Sequence, residues 1–233
     1  MDSLETAGIY TYADYDEKPD PSHRPMYLAA VLEALRQIPP GSRILDAGCG
    51  GGDFAIGLHE AGYEVLGSDA SESAIRAAKA REVGRFERAS LYDDLLAPFG
   101  HPDIAAIVSI EVIEHLYSPL TFVRRAHEAL PDGGLLVITT PYWGWLKNIA
   151  LAVTDRMDRS LTALWEGGHI KHFSRRTLSQ LMEENGFETI AFRGAGETAR
   201  QRHIPYLWSG MMMAFRKLPA SGPTGAGKSG SAR

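Results

Sequence analysis

Arg43-Ile44-Leu45-Asp46-Ala47-Gly48-Cys49-Gly50-Gly51-Gly52-Asp53 is the stretch whose reading decides the fold of this 233-residue chain. An apolar run ends in an acid, four glycines follow in five positions, and Phe54, Ile56 and Leu58 then repeat at the spacing of a helix face. Ile44 and Leu45 read as a buried strand. Glycines this dense between a strand and a helix mark a place where something approaches the backbone closely. The helix start beyond them offers unbonded amide groups and a partial positive charge to a polar ligand.

The glycine spacing narrows the choice of ligand. A dinucleotide fingerprint has the pattern G-x-G-x-x-G, whereas here Gly48, Gly50 and Gly52 alternate and the position of the third dinucleotide glycine is Asp53. A phosphate-binding loop would end in Gly-Lys-Ser/Thr, which this loop lacks. Gly227-Lys228-Ser229 has that form but follows no strand.

Outward from the loop, strand and helix patterns alternate. Tyr27, Leu28, Val31, Leu32 and Leu35 give a helix face between Arg24 and Ile38, closed by Pro39-Pro40-Gly41. Tyr63 to Asp69 reads as a second strand, with Ser71 or Ser73 capping a helix through Ala80. Arg85 to Ala89 is a weak strand, Ile104 to Ser109 a buried one, Thr121 to Leu130 a helix and Leu135 to Thr140 the most β-prone run. This alternation implies right-handed crossovers and a mostly parallel, doubly wound α/β sheet with helices on both faces. Ligands of such sheets bind beyond the carboxyl ends of the strands, which selects Asp46, Asp69, Ser90 to Tyr92, Ser109 to His115 and Thr139 to Tyr142.

After Pro141 the rhythm breaks. Trp143, Trp145, Leu146, Ile149, Val153, Met157, Leu161 and Leu164 recur at roughly helical spacing, and this amphipathic stretch, residues 142–168, resembles the small helical substrate cap that many class I methyltransferases insert after the fifth strand. Tyr142, Trp143, Trp145 and Trp165 either line an acceptor pocket or form the cap's own core. Arg175 to Gly186 is a helix, and Phe187 to Arg193 with Met211 to Arg216 a closing antiparallel pair. The apolar run from Ile204 through Met213 suits a dimer surface or a pocket wall. Residues 1–22, rich in tyrosine and aspartate, read as an irregular arm that could order over a ligand, and 219–233 as a disordered tail. The domain proper is then 23–218.

Composition bounds the class. A net charge of -5 argues against nucleic-acid binding. The single cysteine allows no internal disulfide, the first residues are unlike a signal peptide, and no apolar run reaches the length of a membrane span. A cytoplasmic enzyme, monomer or homodimer, is expected; a peripheral membrane contact stays open.

Asp46-Ala47-Gly48-Cys49-Gly50-Gly51-Gly52 resembles the first motif of class I S-adenosylmethionine-dependent methyltransferases. The resemblance implies a Rossmann-like methyltransferase fold with a seven-stranded sheet. It places the loop backbone, Gly48, Cys49, Gly50 and Gly52, under the methionine part of the cofactor, and Asp46 near its ammonium group. Asp69 ends the second strand about twenty residues on, where an acid accepts hydrogen bonds from a ribose diol, and Ala70 follows it against the adenosine. Ser90 and Leu91 stand where the family has an acid and an apolar neighbour around the adenine; the serine departs from that pattern. Ser109-Ile110-Glu111-Val112-Ile113-Glu114-His115 resembles the post-strand motif of the ubiquinone-pathway O-methyltransferases, with Ile110 against the cofactor.

In some members Glu111, Glu114 and His115 are associated with a divalent metal. Against that, neighbouring residues on a helical turn diverge by about 100°, so Glu114 and His115 are not expected to share a small site. Gly167-Gly168-His169-Ile170-Lys171-His172-Phe173 resembles the family's His-x-x-x-Phe element at the floor of the acceptor pocket. His169, His172 and His115, in that order, are the candidates for a general base. The expected reaction is methylation of a hydroxyl on a phenolic, quinone-precursor or natural-product acceptor. The alternatives are a sugar hydroxyl of a polysaccharide or glycolipid, a non-catalytic S-adenosylmethionine-binding protein, and a nicotinamide-dependent oxidoreductase, which Asp53 disfavours.

Overall fold

The computed structural model describes residues 23–161, 168–196 and 207–219, the side chains of His23, Arg24 and Arg159 aside. The arm, most of the tail, Trp165, Gly167 and Ile204-Pro205-Tyr206 lie outside the described residues.

The strands predicted from apolar runs form one sheet. In chain order these are β1 (Arg43–Ala47), β2 (Glu64–Asp69), β3 (Arg85–Arg88), β4 (Ala106–Ile110), β5 (Leu135–Pro141), β6 (Phe187–Ala195) and β7 (Gly210–Lys217). Their spatial order is β3-β2-β1-β4-β5-β7-β6. The first five run parallel, and β7 lies antiparallel between β5 and β6. The chain walks outward from β1 to β3, then restarts on the other side at β4. A crevice therefore opens at the carboxyl ends of β1 and β4.

Helices α1 (His23–Leu35), α2 (Asp53–Glu60) and α3 (Glu72–Lys79) cover one face, where Val31, Leu35, Phe54, Leu58 and Ile75 meet Ile44, Val65 and Val108. Helices α4 (Pro119–Ala129) and α7 (Arg175–Glu183) cover the other, with Phe122, Val123, Leu178 and Met182 packed on Leu45, Ile107 and Leu136. Starts follow local chemistry: the hydroxyls of Ser71, Ser118 and Ser174 accept the amides of Ala74, Thr121 and Thr177.

Met211, Met212 and Met213 correct an expectation. They are buried inside β7, which is covered on both faces, so their unbroken apolar run marks an interior strand and not an exposed or pocket-lining surface. Beyond β5 come α5 (Trp145–Val153) and α6 (Met157–Leu161). Neither reading of the cap aromatics holds as a unit: Tyr142 and Trp143 are buried, whereas Trp145 is exposed and α5 has no buried residue. No helix among the described residues is long and apolar enough to cross a membrane.

Candidate functional site

The turn after β1 is built around positive φ angles. Gly48, Gly50 and Gly52 sit at 81°, 50° and 79°, in the left-handed region that side chains with a Cβ rarely adopt. The amides of Gly48 and Cys49 both donate to the Ser68 carbonyl, which fastens the turn to β2. A Cβ on Gly48 would lie 2.5 Å from Val112 Cγ2, so the segment after β4 closes directly over the turn. Asp53 is held by Arg81 at 2.8 Å, and Arg81 Nε also reaches the Gly51 carbonyl. Nothing in the sequence indicated Arg81, because it reaches the turn only through the packing of α3.

Two acids face this turn. Asp46, next to last in β1, is almost wholly buried; its Oδ2 accepts no hydrogen bond, and burial, with the charge of Asp69 adding to it, pushes the carboxyl up to about 7. A buried carboxylate in that state favours a cationic partner, as the ammonium group of the expected cofactor would be. Asp69 takes the Gly50 amide on Oδ2 at 3.0 Å and the Ser71 amide on Oδ1 at 2.8 Å. Burial raises its carboxyl, and those amides with that of Ala70 oppose the rise. Asp69 therefore also shapes the loop, while Ser71 caps α3. Each oxygen keeps acceptor capacity for a ribose hydroxyl. Asp69→Ala is expected to weaken S-adenosylmethionine binding by about 1–3 kcal/mol in a calorimetric titration.

The remaining cofactor candidates divide. Ser90 Oγ accepts the Tyr92 amide and Leu91 is buried beside it, both beyond β3. Ile110 is partly buried at the end of β4. Ser109 is fully buried and its hydroxyl donates to the Ala47 carbonyl at 2.9 Å, tying β4 to β1. Cys49 is buried in the turn, and burial pushes its thiol up.

Past β4 the backbone turns sharply. Glu111 has a φ of 54°, and its amide donates to the Thr139 carbonyl and hydroxyl at 3.2 and 3.0 Å. Residues Ile113–His115 then form a single 3-10 turn. Glu114 is completely buried, with Oε2 accepting the Thr140 hydroxyl at 3.0 Å. Burial, then the charge of Glu111, hold its carboxyl well above the usual carboxylate range. Its main-chain carbonyl accepts the amides of Ile170 and Lys171 at 3.0 and 2.9 Å. That carbonyl brings the loop carrying His169 against His115, and the two rings meet edge to face with centroids 5.0 Å apart.

The expected divergence of Glu114 and His115 is overturned here. Glu114 Oε1 lies 4.0 Å from His115 Nε2, because both side chains are long enough to fold back toward one another beyond the tight turn. Ligand atoms of Glu114, His115 and His169 lie within 4.8 Å of one another; Glu111 is not in that set. One carboxylate and two imidazoles suit a first-row transition ion, and Glu114 Oε1 accepts no hydrogen bond. The donor set therefore fits a cation, with His169 in the place expected of Glu111.

His172 stands apart from this cluster. It lies against the buried Trp143 ring at a centroid distance of 4.3 Å, and burial, then the nearby Lys147, push its imidazole down. A groove of about 650 Å³ bounded by Arg43, Tyr63, Glu64, Arg85 and Phe99 opens at the opposite, amino end of the strands.

A glycine turn with two acids at the switch point of a doubly wound sheet defines an α/β protein that takes a nucleoside-type cofactor. The chain belongs to a methyltransferase family: that family's model, described as a methyltransferase domain, matches residues 22–191. It is 34% identical over 103 residues to a ubiquinone biosynthesis O-methyltransferase of Ruegeria pomeroyi, covering 43% of this chain and 41% of the relative. To the protein of the same name in Dinoroseobacter shibae it is 29% identical over 162 residues, 66% of this chain and 63% of that one. The chain thus spans less than two thirds of the length of these relatives. Magnesium protoporphyrin IX methyltransferase from Synechocystis, solved with bound SAH, shares the fold at a TM-score of 0.60 and 17% identity, over 82% of this chain and 81% of that one.

Proposed function

We propose that this chain transfers a methyl group from S-adenosylmethionine to a hydroxyl oxygen of a small molecule. The grouping of Glu114, His115 and His169 beside the cofactor turn carries the reading. Methyl transfer from a sulfonium needs alignment and removal of one proton. The acceptor oxygen bonds to the methyl carbon, the carbon–sulfur bond breaks with its electrons going to sulfur, and the acceptor proton passes to His169. An imidazole is the side chain suited to that proton near neutrality. Glu114 fixes the geometry from both ends: its carbonyl holds the His169 loop, and its carboxyl lies beside His115. A cation held by Glu114, His115 and His169 would supply Lewis-acid activation of the acceptor hydroxyl in place of base catalysis by His169, since an imidazole nitrogen bound to a cation cannot also take the proton.

The names of the ubiquinone biosynthesis O-methyltransferase relatives support oxygen as the methylated atom and an acceptor of the quinone-precursor class. The test is transfer of a radiolabelled methyl group to a panel of phenols, catechols and sugars. Transfer to a phenolic hydroxyl is the expected result; binding of S-adenosylmethionine without transfer to any acceptor would sink the catalytic reading. His169→Gln is expected to lower turnover about 10²–10⁴-fold, the range of general-base catalysis, while leaving the cofactor Kd unchanged. A fall in cofactor affinity instead would mean that His169 supports the fold of the site.

A further inference from the structure

Strand β5 ends on two hydroxyls. Leu135, Leu136, Val137 and Ile138 are the unbroken apolar run of a strand covered on both faces, and Thr139 and Thr140, equally buried, follow them. A buried hydroxyl is costly unless it is hydrogen-bonded, so two in succession call for partners. Both find them in the segment after β4. Thr139 takes the Glu111 amide twice over, on its carbonyl at 3.2 Å and on its hydroxyl oxygen at 3.0 Å. Thr140 donates its hydroxyl proton to Glu114 Oε2 at 3.0 Å.

The two threonines differ in what they hold. Thr139 holds backbone. Glu111 stands at a φ of 54°, a left-handed conformation that is unfavourable for a residue with a Cβ, and the paired acceptors keep its amide aimed at β5. Thr140 holds a side chain. The last torsion of a glutamate is broad and nearly two-fold, so the Glu114 side chain does not itself determine which oxygen points where. With Oε2 bonded to the strand, Oε1 accepts no hydrogen bond and stands 4.0 Å from His115 Nε2. His169 completes the cluster, the ligand atoms of all three residues lying within 4.8 Å of one another. The chain just beyond β5 also holds the far end of the His169 loop, where the Trp143 amide donates to the Phe173 carbonyl at 2.9 Å.

We propose that Thr140 is a positioning residue. Its hydroxyl turns the Glu114 carboxyl so that Oε1 faces His115, and so sets the two imidazoles for the acceptor. Thr139 assists by fixing the backbone turn that delivers Glu114. The effect on turnover rests on the methyl transfer proposed above, whereas the effect on the imidazoles is read without any acceptor.

The test compares Thr140→Val, which keeps the shape and loses the donor, with Thr140→Ser, which keeps the donor and loses the methyl. In transfer of a radiolabelled methyl group, the valine variant is expected to lose about 100-fold in kcat, the effect of a small misplacement at a reacting centre, with acceptor KM and cofactor Kd near native. The serine variant is expected to keep most of the turnover. Thr139→Val is expected to lose less than Thr140→Val, because the Thr139 carbonyl still accepts the Glu111 amide. Native turnover in Thr140→Val overturns the proposal, as does an equal loss in the serine variant or a change in acceptor KM alone. Thermal melting shows whether the valine variant is folded; if it is not, Thr140→Ala takes its place with the same expectations.

The second measurement is NMR of the full chain carrying isotope-labelled histidine, with signals assigned through His115→Gln and His169→Gln. In Thr140→Val the His115 and His169 signals are expected to move, and those of His59 and His127, toward the other end of the sheet, to stay. If the native chain transfers no methyl to any acceptor, the proposed reaction fails and these signals judge Thr140 by themselves. Signals moved by valine and kept by serine then support its role, and unmoved signals overturn it.

Discussion

Gly48→Val is expected to abolish S-adenosylmethionine binding. The residue sits at a φ of 81°, where a Cβ costs roughly 1–2 kcal/mol, and more for a β-branched side chain. The same Cβ would stand 2.5 Å from Val112 Cγ2, a contact that must move Val112 or the turn. Overpacking of this kind costs about 1–3 kcal/mol. The two terms act together, because Val112 is part of the segment that leads to Glu114 and His115. Displacing it disturbs both halves of the site at once. Gly41→Ala is the control, since Gly41 also has a φ of 81° but a Cβ there would meet nothing within 4 Å. That variant is expected to lose stability while keeping the cofactor, as read by thermal melting and calorimetric titration. Wild-type affinity in Gly48→Val would remove the turn from the cofactor site.

Asp46→Asn is expected to separate stability from function. Burial raises the Asp46 carboxyl to about 7, against about 3.9 in an unfolded chain. Between these values the folded protein holds a proton that the unfolded chain has released. Stability from this group is therefore greatest below pH 4 and declines as pH rises to 7. At 1.36 kcal/mol per pH unit the loss is of order 4 kcal/mol. A cationic ligand favours the ionised form, so its binding strengthens as pH rises toward 7 and then levels off. The asparagine variant cannot ionise. At pH 8 the ligand-free variant should melt higher than the native protein, by about 2–4 °C for each kcal/mol recovered in a domain of this size. Its affinity for S-adenosylmethionine should fall about 10- to 100-fold, the value of a lost charge-assisted hydrogen bond, and lose its dependence on pH. A variant that melts lower and binds as tightly would show that Asp46 has a purely structural role.

The legible parts of this protein are those whose causes are local. Ile44 and Leu45 before the glycines, Ser71 before its helix, and the β-branched run ahead of Thr140 each carry their reason within a few residues. Alternation of such elements then leads to the parallel sheet. The same locality misled at Met211 to Met213: three apolar residues in a row look alike on a surface and in an interior strand, and only the flanking β5 and β6 distinguish them. It misled again at Glu114 and His115, where an angle between neighbouring residues was a poor guide to where two long side chains end.

From the sequence alone came the turn that holds a cofactor and the acid near the end of each of the first two strands, because positive φ and a strand end are properties of the chain itself. Tertiary structure alone decided which groups stand together. His169 reaches His115 because the Glu114 carbonyl binds the amides of Ile170 and Lys171, across 56 residues of chain. Arg81 pins the glycine turn by an ion pair with Asp53 and a hydrogen bond to the Gly51 carbonyl, likewise across a long stretch of chain. The exposed side of α5 was equally hidden, since a periodic apolar stripe has the same spacing whether it faces a core or water.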